Sequence, residues 1–73
     1  MARKWENLGW LVRTTENGEK IRVYVRKSGR SIELSRGMNR HLVHPMNAAN
    51  VDGWIREIDT VWQTGLDGWQ WER

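Results

Sequence analysis

Trp10-Leu11-Val12-Arg13-Thr14-Thr15-Glu16-Asn17-Gly18-Glu19-Lys20-Ile21-Arg22-Val23-Tyr24-Val25-Arg26 is the stretch whose reading decides the fold. Two runs rich in β-branched and aromatic residues, 10–15 and 20–26, flank the pair Asn17-Gly18. Asn-Gly between two such runs is the strongest short-range sign of a β-hairpin, because a type I′ turn needs positive φ at both central residues. A two-residue loop there sets Trp10 opposite Val25 and Val12 opposite Val23.

A second turn at Ser28-Gly29 leads into Ser31-Ile32-Glu33-Leu34-Ser35, and Gly37 ends that run. A two-residue Ser28-Gly29 loop sets Val25 opposite Ile32 and Val23 opposite Leu34. Together the two registers gather Trp10, Val12, Ile21, Val23, Val25, Ile32 and Leu34 on one face, and a slip by one residue in either hairpin would break the agreement. The other face then carries Leu11, Arg13, Thr15, Lys20, Arg22, Tyr24, Arg26, Ser31, Glu33 and Ser35.

Beyond the sheet, residues 37–49 read as a connection, since Pro45 disfavours helix at His44. Asn47 and Asn50 are both good N-caps. Val51, Trp54, Ile55, Ile58, Val61 and Trp62 then recur at the spacing of an amphipathic helix, with Gly65 suited to its C-terminal end. The predicted helix spans 50–65. The tail, residues 66–73, alternates Trp69-Gln70-Trp71, which suits either a short edge strand or a fold back onto the core. The expected architecture is α+β: a three-stranded antiparallel sheet of two tight hairpins over 9–36, packed on one C-terminal α-helix. An N-terminal arm (1–8) and a Trp-rich tail complete one small domain.

With 73 residues and no cysteine, the chain has neither disulfides nor thiolate metal ligands to stabilise it, so burial must do so. Six Trp supply much of the apolar surface. Trp10, Trp54 and Trp62 occupy inward positions, and Trp5, Trp69 and Trp71 sit near the ends, where they can close the rim of the core. His41 and His44 are too few for a closed zinc site, and no metal or cofactor is expected. No apolar run approaches a membrane span, and residues 1–6 lack the apolar stretch of a secretion signal. A cytoplasmic protein without a membrane partner is the expectation.

Charge is divided along the chain. Residues 1–44 hold ten Lys/Arg against four Glu, whereas residues 45–73 hold two Arg against five Asp/Glu. Such a division points to a cationic working face. The expected function is therefore non-enzymatic nucleic-acid binding, to DNA rather than RNA, through Arg13, Lys20, Arg22, Tyr24, Arg26, Lys27 and Arg30. Guanidinium forks suit phosphates and guanine edges, and a β-ribbon can enter the major groove. Arg3 and Lys4 would form a basic arm. The alternative is an inhibitor or adaptor that anchors a larger protein through Trp69, Trp71 and the sheet edges, as monomer or homodimer. Tyr24 among arginines resembles a nucleophile with a phosphate clamp, but a single sheet-and-helix layer offers no cleft for such chemistry, and no enzyme is expected.

Overall fold

The computed structural model describes residues 4–72. Five strands form one antiparallel sheet: β1 (Glu6–Thr14), β2 (Lys20–Ser28), β3 (Ser31–Arg36), β4 (Asn39–Leu42) and β5 (Gln70–Glu72), in the order β4-β3-β2-β1-β5. A single α-helix, α1 (Val51–Trp62), follows a 3₁₀ turn at Pro45–Asn47. The α+β class and the packing of sheet on helix agree with the sequence. The three-stranded sheet does not: β4 lies inside the expected connection, β5 in the tail, and Glu6 to Leu8 of the expected arm belong to β1.

The first hairpin differs in register. Thr15 N–H donates to the Glu19 carbonyl (2.8 Å) and Gly18 N–H to the Thr15 carbonyl (2.9 Å), closing a three-residue loop of Glu16, Asn17 and Gly18. Only Gly18 has positive φ (85°), as in a turn completed by a left-handed glycine, whereas a type I′ turn would need Asn17 there too. The Thr15 hydroxyl accepts from Glu19 N–H at 3.1 Å and favours this longer loop. Leu11 therefore faces Val23, and Trp10 faces Tyr24. The slip by one residue turns β1 over. Leu11 is 1% exposed in the core, and Trp10, expected inside, is 39% exposed on the opposite face.

The second hairpin slips by two residues, which preserves the faces. Ser28 pairs with Ser31 and Val25 with Leu34, leaving Gly29 and Arg30 as the loop. Positive φ at Gly29 alone (59°) is the pattern of a type II′ turn. The same device recurs at Gly37 (φ 60°), where Arg36 pairs with Asn39 and starts β4. The pairing of β1 with β2 shifts register between Asn7 and Gly9.

Leu11, Val23, Val25, Ile32, Leu34 and Val43 from the sheet side meet Trp54 and Ile58 of α1 in one core. Each fully buried aliphatic side chain contributes roughly 1.5–3 kcal/mol. The helix begins where Asn50 caps it, its side chain accepting from Gly53 N–H at 2.9 Å. It ends before the expected 65, because Gln63 adopts the left-handed conformation (φ 55°) and donates its N–H to Asp59 O. Val61, on the expected apolar stripe, is exposed, and Trp62 is half-buried against the core.

Candidate nucleic-acid interface

Strand alternation defines the face away from α1. From β2 it carries Lys20, Arg22, Tyr24 and Arg26; from β1, Trp10 and Val12; from β3, Ser31, Glu33 and Ser35; from β4, Arg40; and from β5, Gln70 and Glu72. The structure thus gathers Lys20, Arg22, Tyr24 and Arg26 on one surface. Lys27 pairs with Ile32 of the core and so stands on the helix side, where it and Arg30 of the β2–β3 turn, both exposed, line a cleft with Pro45, Ala48 and Trp54.

Arg13 does not join them. Because β1 is turned over, Arg13 pairs with Ile21 on the helix side, and its Nε donates to the Asp67 carbonyl at 2.7 Å. Its guanidinium packs so closely against Gly65 that an added Cβ there would meet it at 3.2 Å. Arg13 fastens the tail from the helix side of the sheet. Arg22 faces Val12.

The open face is more aromatic and less cationic than the sequence suggests. Trp10 and Tyr24 meet edge to face, with ring centroids 4.9 Å apart. The Arg26 guanidinium lies 4.8 Å from the centre of the Trp5 ring. Arg26 also donates from Nε to Glu33 at 3.0 Å, with Nη2 on the same carboxylate oxygen. Arg22 reaches Glu72 at 3.4 Å, both side chains about half exposed. Two of the four cations on this face therefore have carboxylate partners. An exposed pair of this kind is worth at most about 1 kcal/mol, so Arg22 is easily recruited by a stronger anion. Arg26, held more tightly between Glu33 and Trp5, is a fixed part of the surface.

Of the Trp residues near the chain ends, Trp69 packs on the core and donates Nε1–H to the Gly65 carbonyl at 3.0 Å. Trp71 pairs with Leu11 on the helix side, 40% exposed, edge-on to Trp54 with centroids 6.2 Å apart. They are not exposed together as a pair of anchors. Of the expected basic arm, Lys4 is exposed and Arg3 lies outside the described residues.

The two histidines are absorbed by the fold. Glu57 on α1 accepts from His44 N–H (2.9 Å) and from Asn47 Nδ2 (3.2 Å), and lies 3.1 Å from His41 Nε2. His44 Nδ1 accepts from Met46 N–H at 3.2 Å. The His44 amide, opposed by burial and assisted by His41 and Asn47, holds the Glu57 carboxyl below its ordinary range. Among the described residues no group of three or more His, Cys, Asp or Glu is placed to hold a metal ion. Among them, too, no helix is long and apolar enough to cross a membrane.

Sequence reasoning missed Trp10 as a surface residue, and the missed signal was Thr15, whose hydroxyl favours the longer loop. It also missed Arg40, which reaches the face only through β4. Compared with protein-family models, with curated proteins and with solved structures, the chain matches none.

Proposed function

We propose that this protein is a small non-enzymatic nucleic-acid-binding protein that docks its ligand on the open face of the sheet. The observation that supports it is the meeting on one solvent-facing surface of Trp10 and Tyr24 with Lys20, Arg22, Arg26 and Arg40. Cations attract the phosphate backbone, and exposed rings offer apolar contact to bases. Glu16 and Glu19 make the β1–β2 turn acidic, so the cations of the face lie along the sheet rather than at that tip.

The alternative, a protein partner gripped through Trp69 and Trp71, has less support. Trp69 is committed to the core and to Gly65, and Trp71 leans on Trp54.

The test is fluorescence anisotropy with labelled oligonucleotides at low salt. Binding is expected to weaken steeply as salt rises, because each phosphate contact releases counterions. The double variant Lys20→Ala/Arg22→Ala is expected to bind more weakly, with a shallower salt slope and an unchanged circular dichroism spectrum. Absence of binding to single-stranded and duplex oligonucleotides alike would refute the proposal.

A further inference from the structure

The shape and chemistry of the open face select among nucleic acids, an inference that rests on the function proposed above. We infer that the ligand is a single strand whose unpaired bases lie on the Trp10–Tyr24 pair.

Width is the first reason. Five strands span four intervals of ~4.8 Å, or ~19 Å across, before side chains are added. The major groove of B-DNA is ~12 Å wide and admits a helix or a two-stranded ribbon, not the flat of such a sheet. The β1–β2 hairpin is narrow enough to enter, but its tip presents Glu16 and Glu19, which phosphates would repel.

Charge is the second. Lys20, Arg22, Arg26 and Arg40 share the face with Glu33 and Glu72, and those carboxylates already hold Arg26 and Arg22. A surface that gripped duplex phosphates by cations alone would not set carboxylates beside two of its four cations.

Aromatic spacing is the third. Tyr24, paired with Trp10, is two residues along β2 from Arg26, whose guanidinium covers Trp5. Two residues of a strand advance ~6.8 Å, twice the ~3.4 Å between stacked bases of a duplex strand. Platforms so far apart suit bases that have been splayed and unstacked, each resting on a ring or a guanidinium plane. Trp10 is the best placed of these groups. It is held edge-on by Tyr24 and is 39% exposed on the face of the sheet opposite α1.

DNA and RNA strands both offer unpaired bases, and the experiment includes both. A labelled 12-nucleotide DNA strand of mixed sequence, the same strand as RNA, and the DNA duplex with its complement are titrated with the full chain. At least one single strand is expected to bind tenfold or more tightly than the duplex. Trp10→Ala is expected to cost that strand roughly tenfold, within the usual contribution of one base–aromatic stack, while Trp10→Phe retains most of the affinity. Tyr24→Ala gives a second reading if Trp10→Ala perturbs the fold, and the wild-type comparison depends on no variant. A duplex bound as tightly as either strand would overturn the inference and leave nucleic-acid binding standing. Unchanged single-strand affinity in folded Trp10→Ala and Tyr24→Ala would also overturn it. No binding to any of the three probes would remove both.

Discussion

Gly53 sits in the first turn of α1, where a glycine ordinarily costs about 1 kcal/mol against alanine. Propensity alone therefore predicts that Gly53→Ala stabilises the protein. The structure predicts the opposite. A Cβ at this position would meet the Asn47 carbonyl carbon at 2.8 Å and its Cα at 3.0 Å, with the carbonyl oxygen nearer still. These are backbone atoms of the 3₁₀ turn and cannot rotate away. Relieving the overlap means separating that turn from the helix, and overpacking of this kind costs typically ~1–3 kcal/mol. The same movement strains the Asn50 cap on Gly53 N–H, worth about 1 kcal/mol more. Set against the propensity gain, the net loss is roughly 1–3 kcal/mol. For a domain of this size each kcal/mol lowers Tm by about 4–8 °C, so a fall on the order of 5–20 °C is expected. Thermal unfolding followed by circular dichroism measures it directly. A Tm equal to or above that of the parent protein would show that the turn and the helix are not in such close approach.

Further outcomes follow from the polar contacts. Because Glu57 titrates below its ordinary value in the folded protein, its network stabilises fully above about pH 4.5 and is lost as pH falls through the lowered folded value. Urea midpoints measured from pH 7 down to 3 should therefore decline more steeply in the parent than in Glu57→Ala, which should itself lose about 2 kcal/mol at pH 7 through its unsatisfied donors. Arg13→Ala should free the tail: amide exchange of Gln70 and Trp71 is expected to quicken and stability to fall by about 1 kcal/mol, with oligonucleotide affinity changed little. A large loss of affinity in that variant would put Arg13 back on the ligand face.

What the sequence makes legible here is the parity of side chains, and what it hides is the length of a loop. Val23, Val25, Ile32 and Leu34 are inside as expected, because a two-residue slip in the second hairpin leaves every face unchanged. The first hairpin slips by one, and Arg13 and Trp10 exchange roles. Agreement between the two hairpins does not fix the faces of β1, since Gly9, Leu11 and Arg13 alternate there just as Trp10 and Val12 do. β4 has only one aliphatic residue, Leu42, and that side chain is exposed, so no hydrophobic alternation announces it. The repeated pattern of a glycine followed by one further loop residue, Gly29-Arg30 and then Gly37-Met38, is the local signal for its turn. β5 depends on a pairing with β1 about sixty residues away, which no local pattern encodes. On the candidate surface, Lys20, Arg22, Tyr24 and Arg26 follow from β2 alone. Their partners Glu72 and Trp10 do not, so the aromatic character of the face emerges only from the folded sheet.

The most direct test of the central claim is a map of the bound surface. The ¹⁵N-labelled protein is titrated at low salt with the 12-nucleotide DNA strand and with its RNA counterpart, and amide and indole resonances are followed by NMR. The largest shifts are expected at Trp10, Arg22, Tyr24, Arg26 and Arg40, with the amides of α1 unmoved. Shifts confined to α1, the 3₁₀ turn or the Trp69–Trp71 tail, or no shifts at all, would contradict the assignment of function to the open face of the sheet.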